Sequence, residues 1–134
     1  YMADSKKDKL NNSESEIIIY QTEDGHTKID VKFVDETVWL TQAQLCELYH
    51  TSKSNISEHI KHIFEEGELD EVSVVRKFRT TAADGKNYNT TYYNLDMIIS
   101  LGYRVKSLIV NLLHFLKWYK INCIMQHMGI RLQR

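Results

Sequence analysis

Residues 40–64 constrain the fold most, because they predict two short helices joined by a tight turn. Thr41 stands where the first helix would begin, and Gln44 follows three residues later, which is the spacing of a capping box. The second helix is predicted to end near Gly67, a residue suited to a left-handed cap. Its apolar residues recur at helical spacing: Ile56, Ile60, Ile63 and Phe64. This helix-turn-helix pattern predicts a nucleic-acid partner, and an ordinary amphipathic helical hairpin is the alternative.

The polar side of the second predicted helix carries groups that can reach phosphates and base edges when a helix lies in the major groove of DNA. The lysines on this side suit phosphates, whereas an amide or a hydroxyl suits base edges. The candidate DNA-binding residues here are Ser52, Lys53, Ser54, Asn55, Ser57, Glu58 and Lys61.

Alternating apolar and polar residues predict strands on both sides of this helical pair. Residues 17–21 and 28–34 predict a hairpin around Asp24-Gly25, and residues 37–40 add a third strand. Residues 73–81 and 88–93 predict a second hairpin, and Asn94 then caps a helix over residues 95–105. This order predicts an α+β fold, a winged helix-turn-helix-like domain with an N-terminal β-hairpin and C-terminal helices. The helix positions predicted to face the core are Ala43, Leu45, Cys46, Leu48, Tyr49, Met97, Ile98, Leu101 and Tyr103.

Basic residues make the second hairpin a candidate DNA-contacting wing. Lys77 and Arg79 share one face of a predicted strand and Lys86 lies near the tip, so these side chains could follow a phosphate backbone. The alternative is that they only keep an edge hairpin soluble. The chain has a formal net charge of -1, but residues 72–107 contain six basic and two acidic residues, or +4. An acidic run over residues 65–71 is predicted to be a solvated loop.

Five motifs occur in order between residues 38 and 105: VWLTQAQ, KSNISEHI, VRKFR, TAADGKNY and YNLDMIISLGYRV. In these motifs the chain resembles the RhuM-like virulence-associated proteins of bacteria, a family related by pattern to phage KilA-N and Bro-type DNA-binding modules. The resemblance covers residues 17–107. It implies a DNA-binding domain of a kind often carried on mobile or pathogenicity elements.

Residues 108–134 contain no Asp or Glu and do not resemble the continuation of that family. We interpret them as a divergent helical segment, with a truncated or a frameshifted end as the alternatives. Polar residues interrupt every apolar window, which argues against a transmembrane span. The apolar content predicts packing against the core or in a homodimer, for which the candidate contacts are Leu112, Leu113, Leu116 and Trp118. The chain would then consist of a flexible tail (1–16), the DNA-binding domain (17–107) and this segment.

The residues that carry catalytic chemistry in other proteins form no motif in this chain. We find no glycine-rich phosphate loop, nucleophile elbow or paired carboxylates, so we expect no enzyme, no catalytic residue, no cofactor and no metal. Cys46 and Cys123 are far apart in sequence, which favours a reducing cytoplasm over a disulfide framework. The expected partners are double-stranded DNA and a second copy of the chain, without a membrane or a small-molecule substrate. A protein-interaction module of antirepressor-like role, or an accessory domain of a larger toxin or virulence system, remains the alternative.

Overall fold

The computed structural model describes residues 16–81, 83–104 and 108–127, with side chains described up to residue 124. The strands are β1 (Glu16–Gln21), β2 (Lys28–Val34), β3 (Thr37–Thr41), β4 (Val75–Thr81) and β5 (Asn87–Asn94). The helices are α1 (Gln42–Tyr49), α2 (Lys53–Glu65), α3 (Glu71–Val74), α4 (Leu95–Arg104) and α5 (Ile109–His127). The predicted α+β class is confirmed. The predicted flexible tail lies outside the described residues, except for Glu16, which begins β1.

The described strands form one antiparallel sheet in the order β1-β2-β3-β5-β4. β1 pairs with β2 from Glu16 opposite Phe33 to Gln21 opposite Lys28. Asp35 and Glu36 make the turn into β3 with φ of 54° and 63°, the positive values that this short hairpin turn requires. The predicted N-terminal hairpin and third strand are therefore confirmed.

The second predicted hairpin, β4–β5, is also present, but it is not a separate wing. β5 pairs with β3 through residues 92–94, and β4 lies next to β5 at the edge of the same sheet. The outer half of the hairpin, residues 77–81 and 87–91, extends past the end of β3. The structure thus shows an α+β fold with one continuous sheet, and a winged helix-turn-helix in the strict sense is not confirmed.

Residues 66–70 of the acidic run form an exposed loop, as predicted, while Glu65 ends α2 and Glu71 begins α3. Asp70 caps α3 by accepting a hydrogen bond from Val72 N at 3.4 Å. Val74 at the end of α3 is only 1 % exposed, so the short helix is held against the core. β4 consequently begins at Val75 and not at residue 73. The valines in this segment are typical of strands, and tertiary packing overrides that local preference.

The helices pack on the face of the sheet that carries Tyr20, Ile29, Val31, Phe33 and Leu40. α1 contacts α2 and α5, while α4 contacts α2, α5 and β5. The side chains that are completely buried in this core are Val31, Val38, Leu40, Leu45, Ile56, Ile63, Met97, Ile98, Leu101, Leu112 and Phe115.

Two of the predicted core positions are wrong, and a third is only partly buried. Ala43 and Tyr103 are exposed and Cys46 is half-buried, whereas the other predicted helix positions are buried. Ala43 lies two positions before Leu45 and Tyr103 two positions after Leu101. A separation of two residues places side chains on nearly opposite sides of a helix, so both point away from the core.

α5 is part of the same core. Leu112 and Phe115 are completely buried, and Asn111 Nδ2 donates a hydrogen bond to Leu48 O at 2.8 Å. The Trp118 ring lies 5.4 Å from the Tyr20 ring and 5.8 Å from the Phe33 ring of the sheet. Leu116 also packs against this core. Leu112, Leu116 and Trp118 therefore have partners within the monomer, which corrects their predicted place in a dimer contact.

Candidate nucleic-acid interface

Capping interactions fix the start of α1 and both sides of the short turn between α1 and α2. The predicted capping box at the start of α1 is present, with Gln44 N donating to Thr41 Oγ1 at 3.1 Å and Thr41 N donating to Gln44 Oε1 at 2.9 Å. His50 ends α1 in the left-handed conformation, at φ 52°. Ser52 begins α2 by accepting a hydrogen bond from Asn55 N at 3.1 Å. Only residues 50–52 therefore connect α1 to α2.

Two hydrogen bonds to other elements brace this turn. His50 Nε2 lies 2.8 Å from the hydroxyl of Thr27, a buried residue next to β2. Tyr49 donates a hydrogen bond of 2.5 Å from its hydroxyl to the backbone O of Ile98 in α4. Burial raises the pKa of Tyr49 far above its ordinary value, so the hydroxyl keeps its proton and remains a donor. The helical pair is thus anchored to both the N-terminal hairpin and α4.

The side of α2 that faces solvent is polar because the opposite side is buried. Ile56 and Ile63 are completely buried and Ile60 is 6 % exposed, as expected from their helical spacing. The predicted candidates on α2 and its cap are all exposed: Ser52, Lys53, Ser54, Asn55, Ser57, Glu58 and Lys61.

Two of the candidates for base contact already have partners inside the protein. Asn55 Nδ2 donates to Thr51 Oγ1 at 3.0 Å, and Gln42 Nε2 donates to Ser57 Oγ at 2.5 Å. Among the described residues nothing hydrogen-bonds to Asn55 Oδ1, and the Ser57 hydroxyl hydrogen is still free to donate. Gln42 was not predicted as part of this surface, because its contact joins residues that are 15 positions apart.

The hairpin β4–β5 projects its basic residues as predicted. Lys77 lies opposite Thr91 and Arg79 opposite Asn89, so both side chains leave the same face of the hairpin. Both are exposed, as is Lys86 in the connecting turn beside Gly85, whose φ is +84°.

A shallow groove connects the hairpin to the helical pair. It is lined by residues from the start of α1, from the first turn of α2 and from β5: Thr41, Gln42, Ala43, Cys46, Lys53, Thr90 and Thr91. Thr91 is also the strand partner of Lys77. The groove therefore extends from the first turn of α2 to the part of the hairpin next to Lys77.

Two of the basic residues counted in the charge of residues 72–107 are neutralised. Arg76 Nη1 lies 2.9 Å from Asp35 Oδ2. Arg104 forms salt bridges to Glu66 at 3.3 Å and to Glu68 at 2.9 Å. The expected excess of +4 therefore does not all face solvent. These pairs join residues 36 to 41 positions apart, which is why the sequence pattern did not predict them.

Four cations of the candidate surface have no such partner. Within the described ranges, the side chains of Lys53, Lys77, Arg79 and Lys86 form no salt bridge and no hydrogen bond. Lys61 lies 4.0 Å from Glu65, an exposed pair of the kind that contributes only about 0.3–0.5 kcal/mol. These cations can therefore bind an external anion without breaking a strong internal contact.

The other face of the hairpin was not anticipated. The Phe78 ring lies 5.8 Å from the Trp39 ring and 5.1 Å from the Tyr92 ring. Lys32 Nζ and Arg76 Cζ each lie 4.9 Å from the centroid of the Phe78 ring. Burial among these rings lowers the pKa of Lys32. This face stiffens the base of the hairpin through aromatic and cation–π contacts.

Three other features of the described residues bear on function: potential metal ligands, cysteine thiols and the apolar character of the helices. Across the described part of the chain, no three His, Cys, Asp or Glu residues lie close enough to hold a metal ion. Burial raises the pKa of the half-buried Cys46, which keeps its thiol protonated. No helix in the described ranges combines the length and the apolar character needed to cross a membrane.

Comparison with known proteins finds a family similarity over the hairpin, α4 and α5. Residues 73–127 match the Virulence protein RhuM family. The match continues through α5, so the prediction that the resemblance stops at residue 107 is wrong, while residues 17–72 lie outside the matched range. No curated protein and no solved structure matched the chain significantly. Over residues 73–127, the chain is therefore similar to the Virulence protein RhuM family.

Proposed function

We propose that this protein binds double-stranded DNA through a basic face made of Lys53, Lys77, Arg79 and Lys86, together with the exposed side of α2. The observation that carries the proposal is that these four cations are exposed and form no salt bridge among the described residues, and that the groove lined by Lys53 reaches Thr91, the strand partner of Lys77. Elsewhere Arg76 and Arg104 are held by acidic residues. This surface thus carries free positive charge, although the formal net charge of the whole chain is -1.

In this proposal the helix reads bases and the hairpin holds the backbone. α2 lies in the major groove with Asn55, Ser57 and Glu58 near base edges. Lys77, Arg79 and Lys86 contact phosphates, which supplies affinity without sequence information. The winged helix-turn-helix-like role of the α1–α2 pair and the hairpin belongs to the same proposal. We also propose a cytoplasmic location and a homodimer, which would present two copies of the surface to one duplex.

Salt dependence of duplex binding tests the proposal. We expect the wild-type protein to bind duplex DNA more weakly as salt rises, because phosphate contacts release condensed counterions. Replacing Lys77, Arg79 and Lys86 by Gln should weaken binding to all duplexes similarly. The slope of log affinity against log salt should become shallower by up to about 2.7, at about 0.9 for each phosphate that the protein no longer neutralises. Fluorescence anisotropy with labelled duplexes over a salt series measures both quantities.

The matched control removes the same charge elsewhere. Lys28, Lys117 and Lys120 are exposed residues of β2 and α5, and their joint replacement by Gln should leave the slope unchanged. If both triple variants change the slope equally, binding follows net charge and the proposed face is wrong. If the wild-type protein does not bind duplexes at low salt, the proposal fails altogether.

An observation elsewhere in the molecule favours a protein-interaction role as the second candidate. Exposed aliphatic side chains are concentrated on one side of α5, away from the basic face. Such a role would add to DNA binding or replace it, as an antirepressor-like module or as an accessory domain of a larger toxin or virulence system. Partner binding by a protein that ignores duplex DNA would support this candidate.

A further inference from the structure

The outer face of α5 consists of residues that all point to solvent: Val110, Leu113, His114, Lys117, Lys120, Ile121 and Ile124. Its four aliphatic side chains are 56 %, 51 %, 44 % and 49 % exposed, from Val110 to Ile124 in chain order. At 100° per residue these seven positions fall within about a third of the helix circumference. The face is therefore a single stripe along the helix.

The exposed stripe of α5 does not contribute to the hydrophobic core. The inner side of α5 is already filled by Leu112 and Phe115, which are completely buried, and by Trp118 against the sheet. Isolated aliphatic residues on a surface need no explanation, but a row of four on one helix face marks a surface that binds something. α5 thus has one face for the core and a second for a partner.

The charges in the stripe indicate the kind of partner. α5 contains no Asp or Glu, and Lys117, Lys120 and His114 lie between the aliphatic residues. Lys117 and Lys120 form no salt bridge among the described residues. We propose that the outer face of α5 docks an amphipathic helix of a partner protein that carries acidic residues beside its apolar stripe. The proposal does not depend on DNA binding.

The spacing of the stripe suits such a helix. Val110, Leu113, Lys117, Ile121 and Ile124 follow one another at steps of three, four, four and three residues, which keeps them in one row on the same side of the helix. A partner helix packs its own apolar row on the four aliphatic residues at an interaxial distance of about 8–10 Å. Its carboxylates then lie beside Lys117 and Lys120, where they neutralise the cations that would otherwise be partly desolvated.

A second copy of this chain fits the face less well. The aliphatic residues are placed symmetrically about Lys117, with Val110 and Ile124 seven positions away and Leu113 and Ile121 four positions away. An antiparallel two-fold pair would match the aliphatic residues but bring the two Lys117 side chains together at the axis. α5 has no carboxylate to offset that repulsion. The charge pattern therefore favours a different, acidic partner.

A lipid surface also fits less well. Helices that lie in a membrane interface commonly place aromatic residues on the apolar face. Here Trp118 packs against Tyr20, and Tyr119 stacks on Phe33 with ring centroids 6.1 Å apart, so both aromatic residues belong to the inner side. The exposed face is purely aliphatic and basic, which suits packing against another helix.

A pair of synthetic helices tests the proposal on the full chain. Both peptides are about three heptads long with Leu at positions a and d; one carries Glu at e and g, and its match carries Lys there. We expect the Glu peptide to bind in a fluorescence anisotropy titration and the Lys peptide not to bind. Leu113→Gln with Ile121→Gln should abolish binding. The fold should persist in this variant because both side chains are about half exposed.

Charge-reversal variants distinguish peptide binding by the outer face of α5 from duplex binding by the basic face. Lys117→Glu with Lys120→Glu should weaken binding of the Glu peptide by about tenfold or more and allow the Lys peptide to bind. The same pair of substitutions should leave duplex binding unchanged. Lys77→Glu with Lys86→Glu should do the reverse, weakening duplex binding and sparing the peptide. Circular dichroism verifies that each variant is folded.

Four results would overturn the proposal. The Glu peptide does not bind, or it binds no better than the Lys peptide, or its binding is abolished in the hairpin variant and not in the α5 variant. The fourth result is that something else occupies the outer face of α5. Sedimentation equilibrium would then show self-association, or vesicles of phosphatidylserine and phosphatidylcholine would bind the protein. In either case the Leu113→Gln, Ile121→Gln variant would abolish the interaction.

Discussion

At the scale of a single residue, Gly102 sets how closely α4 and α5 approach. A Cβ at this position would lie 2.5 Å from Leu112 Cδ2, 2.6 Å from Leu112 Cβ and 2.9 Å from Leu112 Cγ. Leu112 is completely buried and has no free space to move into. The glycine is therefore a packing residue inside a helix, although glycine by itself weakens helices.

We predict that Gly102→Ala destabilises the protein. Alanine would improve the intrinsic helix propensity by up to about 1 kcal/mol. Overpacking a core costs about 1–3 kcal/mol, and here it involves three atoms of an immobile side chain, so the clash should win. Urea unfolding followed by circular dichroism measures the decrease in stability. The control is Tyr103→Ala at the exposed neighbouring position, which should hardly change the stability. A Gly102→Ala protein as stable as the wild type, or more stable, would contradict the packing argument.

At the scale of the element, α2 separates a structural side from a polar side. Its isoleucines are buried against the core, and its polar side chains are exposed along the whole helix. Lys53 is the first residue of α2, where a negative charge is favoured by the helix dipole, and Lys61 lies two turns later. Substitutions on the polar side can therefore change binding without changing the fold.

We predict that Lys53→Glu with Lys61→Glu abolishes specific DNA binding and leaves the helix intact. The carboxylate introduced at position 61 would face Glu65 one turn away, which costs only about 0.2–0.5 kcal/mol. Both changes place carboxylates where the proposal requires phosphates. Duplex binding and far-UV circular dichroism on the same sample measure the two effects. Lys28→Glu with Lys120→Glu has the same charge change and should still bind; loss of helical signal in the α2 variant would show that these lysines are structural.

At the scale of the whole molecule, α5 closes the core over the N-terminal part of the sheet. It contacts α1 and α4, and its aromatic residues lie against β1 and β2. Asn111 ties it to the backbone of α1 through Leu48 O at 2.8 Å. The helix therefore joins the family-matched region to the residues that precede it.

We predict that deletion of residues 108–134 unfolds the protein. Burial of Leu108, Leu112 and Phe115 contributes about 1.5–3 kcal/mol each, or about 5–9 kcal/mol together, against a typical domain stability of about 5–15 kcal/mol. Thermal unfolding should show no cooperative transition. Truncation after residue 127 retains every described packing contact and should keep that transition. A folded monomer from the longer deletion would show that α5 is dispensable.

The sequence by itself determined the elements whose signals lie within a few residues. The Thr41–Gln44 capping box, the N-terminal hairpin, the isoleucine row of α2 and the shared face of Lys77 and Arg79 were all predictable, because caps, turns and side-chain periodicity depend on near neighbours. The similarity to the RhuM family over residues 73–127 was also recognisable from motifs in that range. The continuation of the family similarity past residue 107 was not recognisable from the sequence. The segment that follows is an apolar helix without acidic residues, and no local feature of it indicates which side is buried.

Only the tertiary structure decided how these elements meet. It joined β5 to β3, paired Arg76 with Asp35 and Arg104 with Glu66 and Glu68, and brought Lys53 to the groove beside β5. It also gave α5 an inner face for the core and an outer face for solvent. Each of these outcomes depends on contacts between residues far apart in the chain. Their energies come from burial and charge pairing in the assembled core, which local sequence patterns do not encode.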